Sequence, residues 1–188
     1  MIFDEKHELI RKLCRDFAEK EFTKEILDEV EETGVFPQDI LDKMAECGFF
    51  GTKIPVEYGG QGGDNLAYVI MLEEFCRVSP IASVYANAHN SLGSGPLLLS
   101  GTEEQKMKYI PDIASGKKRM AFGLTEPGAG SDAGGTQTTA VEDGDYYILN
   151  GRKTFISGAP FADYCVVYAK TDVTQKGSRG ISMFIVDM

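Results

Sequence analysis

AFGLTEPGAGSDAGG, residues 121–135, begins as a short apolar run and breaks into a loop with glycine at 123, 128, 130, 134 and 135. Glycine tolerates positive φ and lets a ligand approach the main chain, so backbone N–H groups become available to an anionic or amide-bearing group. Thr125, Ser131 and Asp132 add hydroxyl and carboxylate handles, and Pro127 stiffens the turn. The stretch lacks both the Lys-Ser/Thr ending of a phosphate-binding P-loop and the GxGxxG spacing of a dinucleotide fold. On spacing alone, a mobile surface turn explains it as well as a ligand loop does.

Around this stretch the pattern changes. After Gly116 the apolar residues alternate and β-branched and aromatic residues rise, which sets a boundary near residue 118 and divides the chain into domains 1–118 and 119–188. The basic cluster Lys117, Lys118 and Arg119 reads as exposed boundary charge. Strands are expected over 119–125, 136–142, 145–150, 152–157, 163–171 and 180–187. Asp143-Gly144 folds the second of these onto the third, and Asn150-Gly151 makes another tight turn before the fourth, so the sheet reads as antiparallel. TQKGSR, 174–179, leads into the apolar strand ISMFIVDM, where the chain stops. A buried-looking strand at that place leaves an open edge that proteins normally cover, and the expectation is a fragment of a longer enzyme or a truncated reading frame.

Upstream, Leu9, Ile10, Leu13, Cys14, Phe17, Phe22, Ile26 and Val30 fall mostly three and four apart, predicting one long amphipathic helix from Asp4 to Glu32. The acidic run Glu29, Glu31 and Glu32 reads as its solvated face. Gly34 stops this helix, and Pro37 opens a second that turns Ile40, Leu41, Met44 and Ala45 inward. GFFGTKIPVEYGGQGG, 48–63, is too glycine-rich for a regular element and long enough to suggest a role beyond connection; Phe49, Phe50 and Tyr58 favour an ordered loop. Asp64 caps the next helix, and 80–100 reads as a nearly apolar helix, buried on most sides at the centre of the domain. Gly93, Gly95 and Pro96 leave two readings, room for a ligand chain or close helix packing. Thr102 with Gln105 forms a capping box for a last helix reaching about Ala114.

The 188 residues, 43% hydrophobic, suffice for one good core or two small ones. No signal sequence or bilayer-length apolar run is present. Nineteen Lys and Arg against 29 Asp and Glu give a net charge of -10, which argues against nucleic acid or an anionic membrane as partner. Cys14, Cys47, Cys76 and Cys165 show no metal-ligand spacing and read as buried free thiols in a reducing, cytoplasmic compartment. His7 and His89 have no metal-binding companions, and no metal is expected.

GLTEPGAGSDAGG resembles the signature of the acyl-CoA dehydrogenase family of flavoproteins. The likeness extends in order through PVEYGGQGG at 55–63, GTEEQKMKYIPDIASGKK at 101–118 and NGRKTFIS at 150–157. It covers essentially the whole chain but only the first part of the family's layout. The resemblance implies an α+β fold, an all-α N-terminal domain followed by an incomplete antiparallel β domain. It also implies FAD as cofactor, an acyl-CoA substrate, α,β-dehydrogenation with hydride passing to flavin N5, an electron-transfer flavoprotein as partner, and a homo-oligomer at full length.

Matched residue by residue, the resemblance sets Phe122, Leu124 and Thr125 along the flavin, with the Thr125 hydroxyl at its pyrimidine end. Gly130 and Ser131 would serve the pyrophosphate, and Ser131 also the CoA portion of the substrate. Phe155 would cover one flavin face beside Ile156, with the Ser157 hydroxyl near N5, where a donor stabilises charge formed on reduction. Many members carry Trp and Thr in place of Phe155 and Ser157, so redox tuning is open; an ordinary strand core residue is the weaker alternative reading of Phe155. The family's helices corresponding to 80–100 line the acyl pocket, and the leaning is to a short or medium straight acyl chain. The family base is a Glu of its C-terminal domain; no residue here matches it, Glu126 reads as a loop-fixing carboxylate, and the chain alone is expected to be inactive. Two other readings stay open: a non-catalytic acyl-CoA or partner-binding module, and a flavin monooxygenase-like relative, against which TEPGAGSD, the dehydrogenase form of the motif, weighs.

Overall fold

Asp4 opens the chain's first helix by accepting the His7 N–H at 3.0 Å. The His7 ring answers by accepting the Asp4 N–H at Nδ1, 3.2 Å, which leaves Nε2–H directed at Asp64, 3.1 Å away. In this computed structural model residues 3–188 are described, and the chain divides into one unit ending at Lys118 and another over Arg119–Met188.

The helical unit contains α1 (Glu5–Glu21), α2 (Lys24–Thr33), α3 (Gln38–Glu46), α4 (Asn65–Val78), α5 (Pro80–Asn87), α6 (Ser94–Ser100) and α7 (Glu103–Ala114). The single helix expected over 4–32 is two. Phe22 leaves helical geometry at ψ 63°, and Thr23 caps a new helix by accepting the Ile26 N–H. The break delivers the Phe22 ring, 3% exposed, into a cluster with Phe17, Phe36 and Phe75 at centroid distances of 5.6, 6.0 and 5.3 Å. Edge-to-face pairs of this kind add roughly 0.5–1.5 kcal/mol each beyond area burial, so core packing overrides the helical spacing.

The 48–63 segment is ordered, with short 3-10 turns at Phe49–Gly51 and Val56–Tyr58. Asp64 caps α4 by accepting the Ala67 N–H at 2.8 Å. Residues 80–100 are not buried on most sides. Ala82, Ala86, Asn90, Ser94 and Leu97 face inward, while Ile81, Val84, Leu92 and Leu99 are exposed; small residues turned inward permit close packing and leave the larger ones outside. Between α5 and α6 lies a π turn, Ala88–Gly93. There the buried Asn90 amide donates to the carbonyls of Phe49 (2.6 Å) and Ala86 (3.0 Å) and accepts the Lys53 N–H (3.1 Å), tying the 48–63 segment to the helix. The capping box of Thr102 and Gln105 starts α7.

The β unit is one five-stranded sheet of β1 (Met120–Gly123), β2 (Thr139–Asp143), β3 (Tyr146–Asn150), β4 (Tyr164–Lys170) and β5 (Ile181–Asp187). The sheet is mixed, not wholly antiparallel. β2–β3 and β4–β5 are antiparallel, whereas β1 runs parallel to β4 and the end of β4 meets β2 parallel through Thr139 and Lys170. The hairpin at Asp143-Gly144 is present. The strand expected over 152–157 is absent, and Gly151 is not a hairpin residue. A Cβ there would come within 2.2 Å of Thr138 Oγ1, so the glycine lets the chain leave β3, cross Thr138 and run back toward the end of β1. Of the four cysteines, Cys14 and Cys165 are buried as expected, but Cys47 and Cys76 are exposed; apolar periodicity alone does not tell the buried flank of a helix from its rim. Among the described residues no helix is long and apolar enough to cross a membrane.

Candidate functional site

Of the two segments singled out in the sequence, 122–131 and 155–157, the first is bonded just past the end of β1 to the two residues that precede the second. The Thr154 N–H donates to the Thr125 carbonyl at 2.9 Å, and the Lys153 ammonium donates to the Leu124 carbonyl at 3.0 Å. This crossing brings residues about thirty positions apart into one layer, and it exists because 152–157 is not a strand.

Glu126 organises the crossing. Its side chain is 6% exposed and accepts from the Thr136 hydroxyl (3.0 Å), the Gln137 N–H (2.6 Å), the Thr138 N–H (3.0 Å), the Thr138 hydroxyl (2.5 Å) and Lys153 Nζ (2.8 Å). Burial by itself would push this carboxyl up, but the Lys153 ammonium, the Thr138 hydroxyl and the two N–H groups together hold it well below the usual carboxylate range. An anion so fully hydrogen-bonded is a poor proton acceptor, in keeping with its reading as a loop-fixing group. The sequence offered no sign that Lys153, Thr136 and Thr138 are its partners; they lie 10–27 positions away.

The intervening loop is pinched by reciprocal backbone bonds between Glu126 and Ala129, both 3.1 Å, and it presents Gly128, Gly130 and Ser131 outward. At Gly128 and Gly130 φ is not positive, and a Cβ built on either would meet nothing within 4 Å. Neither glycine is needed for the chain's own conformation or packing, so the bare backbone suits close approach by something outside the chain. Phe122, Leu124, Thr125 and Ile156 are half-buried, and Ser157 is exposed. Phe122 packs edge-on against Tyr168, 5.5 Å between ring centroids.

Phe155 is not a strand core residue. It is 91% exposed and is the one described non-glycine residue with positive φ, 56°. A bulky residue in the left-handed region costs of order 1–3 kcal/mol and is held there by its surroundings, here the anchored Lys153 and Thr154. The site therefore offers an exposed ring, hydroxyls at Thr125, Ser131 and Ser157, and bare backbone at 128 and 130. That donor set fits a large planar group carrying an anionic tail, which is what FAD presents.

Two features of the helical unit escaped sequence reading. One is the π turn, after which the Ser94 hydroxyl is buried with no hydrogen-bond partner among the described residues. The other is a cleft of about 180 Å³ lined by Ile10, Leu13, Cys14, Cys47, Thr52 and Gln61 with neighbours, none of them a residue named for the site.

Comparison with known proteins matches residues 4–117 to the family "Acyl-CoA dehydrogenase, N-terminal domain" and residues 121–188 to "Acyl-CoA dehydrogenase, middle domain". The chain is 68% identical over its whole length to "Caffeyl-CoA reductase-Etf complex subunit CarC" of Acetobacterium woodii, covering 49% of that protein. It is 59% identical over 187 residues to "3-(aryl)acrylate reductase" of Clostridium sporogenes, again covering 49%. The chain thus spans about half the length of the curated relatives it matches. Among solved structures, an acyl-CoA dehydrogenase of Bacillus anthracis complexed with FAD superposes with a TM-score of 0.88 at 38% identity, over 98% of this chain and 31% of that one.

Proposed function

This chain belongs to the acyl-CoA dehydrogenase family, and on that premise we propose that it supplies the helical domain, 1–118, and the first part of the β domain, 119–188, of a FAD-dependent oxidoreductase acting on the Cα–Cβ bond of an acyl-CoA thioester. The observation that carries the reading is the crossing of Lys153 and Thr154 over Leu124 and Thr125, which sets the strained, exposed Phe155 beside the glycine loop. Bound FAD supplies the hydride chemistry at flavin N5.

The chain's own residues bind and orient. Thr125 would hold the pyrimidine end of the ring system, with Phe122 and Leu124 beside it. Gly130 and Ser131 would offer donors to the pyrophosphate, and Ser131 to the CoA portion. The Phe155 ring would cover one face next to Ile156 and keep water off it, and the Ser157 hydroxyl would stand ready to donate near N5. No group of this chain is assigned as the base. Glu126 is excluded from that role by its five hydrogen bonds and lowered pKa.

The acyl group would run along the stretch of Gly93, Gly95 and Pro96, where a Cβ built on Gly95 would meet nothing within 4 Å. The two relatives named above act, by their names, on an aryl-acrylyl thioester and an aryl acrylate in the reducing direction. They favour an unsaturated aryl acyl group over the straight chain expected from the motifs. The first is also named as part of an Etf complex, which supports an electron-transfer flavoprotein as partner. A homo-oligomer and a cytoplasmic location complete the proposal.

The test is to purify the native-length protein, measure its flavin content, and mix it anaerobically with arylpropionyl-CoA. Bleaching of the flavin band at an enzymatic rate is expected. Flavin content left unchanged by Thr125→Val with Ser131→Val would sink the placement of FAD, and a wild-type protein that binds acyl-CoA but no flavin would favour the non-catalytic binding module.

A further inference from the structure

Lys153 does more than neutralise Glu126. Its ammonium donates to three oxygens at once: Glu126 Oε1 at 2.8 Å, the Leu124 carbonyl at 3.0 Å and Thr136 Oγ1 at 3.2 Å. Two of these belong to the buried carboxylate cluster, but the third is the main chain of the segment that carries Thr125. No cis peptide bond is found among the described residues, so the Leu124 C=O and the Thr125 N–H of the shared peptide point in opposite directions. A cation on that carbonyl therefore fixes the plane of the peptide and aims the Thr125 N–H away from the cluster. It also polarises the amide, which strengthens its N–H as a donor. The Thr125 carbonyl is fixed independently by the Thr154 N–H, so both peptides flanking Thr125 are held.

We propose that Lys153 is a positioning residue for the flavin, acting through the Leu124–Thr125 peptide to present a fixed, strengthened N–H together with the Thr125 hydroxyl to the electron-poor pyrimidine end of the ring system. Glu126 has the complementary task of keeping the ammonium in place and cancelling its charge, so that the buried cluster is neutral. The proposal rests on the reading of 122–131 and 155–157 as the FAD site. If Lys153 merely balanced Glu126, Lys153→Arg, which keeps both the cation and the carboxylate that holds the loop, would leave FAD binding and potential as in wild type.

The experiment compares Lys153→Met, the double variant Lys153→Met with Glu126→Gln, and Lys153→Arg in the native-length protein. It records thermal unfolding, FAD affinity from fluorescence quenching, and the midpoint potential of the bound flavin. The single Met variant is expected to unfold early. The double variant should recover most of the wild-type midpoint of unfolding yet bind FAD about tenfold more weakly, the loss expected for a charged hydrogen bond. Its flavin potential should move negative, because a weakened donor stabilises the electron-rich reduced ring less. A double variant with wild-type affinity and potential would overturn the proposal. Should the double variant fail to unfold cooperatively, Lys153→Arg decides, since it keeps the charge opposite Glu126 but moves the donor: weaker FAD binding with a shifted potential supports the proposal, and values equal to wild type overturn it. A wild-type protein with no affinity for FAD would instead bring down the underlying assignment of the site.

Discussion

The two units each bury one carboxylate, and they do it differently. In the helical unit Glu74, on α4, is ringed by guanidinium groups. Arg15 donates at 2.9 Å through both Nε and Nη2, Arg77 at 2.8 Å and Arg11 at 3.0 Å. The arginines are themselves partly wet, with Arg77 half exposed, so the charge sits at the rim of a large aromatic core. In the β unit Glu126 is served by one lysine, two hydroxyls and two backbone N–H groups, and the core beneath it is small: Met120, Ala121, Ala129, Ala140, Cys165, Val166 and Ala169. Arginine ion pairs between helices fasten elements that already have a core, whereas a carboxylate binding main-chain donors shapes a loop that has none. The first arrangement is worth mostly stability; the second fixes a conformation.

The sharpest way to break this contrast is in the aromatic core. Phe75→Ala removes a fully buried ring that meets Phe17, Phe22 and Phe49, and it is expected to cost roughly 3–5 kcal/mol. Hydrogen exchange should show protection lost across α1–α7 and retained in β4. Equal loss in both units would mean that they share one folding core. Next comes Lys153→Met, which leaves Glu126 buried without its cation and should destabilise the β unit by about 3 kcal/mol, read from urea unfolding followed at tyrosine resonances of β4.

Acid distinguishes the units more gently. The Arg15 guanidinium first, against the opposing effect of burial, and then Arg77 and Arg11 hold Glu74 down to about 2 from an ordinary 4.5. Because the folded-state value is the depressed one, this carboxylate contributes stability that is fully present above pH 4.5 and is lost as pH falls toward 2. Glu126 has the same sign. Denaturant midpoints of wild type should therefore be flat from neutral pH to about pH 5 and fall below it. Glu74→Gln should flatten that fall in the helical unit and leave the fall in the β unit unchanged. A wild-type midpoint that rises on acidification would contradict both assignments.

The smallest expected effects concern Phe155 and the outer hairpin. Phe155→Gly removes a side chain from a left-handed backbone position and should raise stability by roughly 0.5–1 kcal/mol, while weakening flavin retention if the ring covers the flavin. Tyr146→Ser, at a side chain 77% exposed, should change stability by less than about 0.5 kcal/mol. A larger loss would show that the face of β3 is covered in solution.

What the sequence determined by itself was whatever depends on neighbours along the chain. Helical spacing placed α3, α4 and α7; Asp64, Thr102 with Gln105, and Asp143-Gly144 marked caps and a hairpin because a cap or a turn is made by residues three or four apart. The motif around Glu126 identified the family, and its flanking Thr125 and Pro127 suggested a loop-fixing carboxylate. Tertiary structure alone decided the rest. The break at Phe22 was invisible because the pull on that ring comes from Phe36 and Phe75, far along the chain. The parallel pairing of β1 with β4 joins segments more than forty residues apart, and strand periodicity carries no sign of direction. The alternation in 152–157 imitated a strand, yet Gly151 against Thr138 and Lys153 in the Glu126 cluster turned that stretch into a crossing. A local pattern can state what a segment prefers, but where a buried charge finds its partner is settled only when the chain has closed around it.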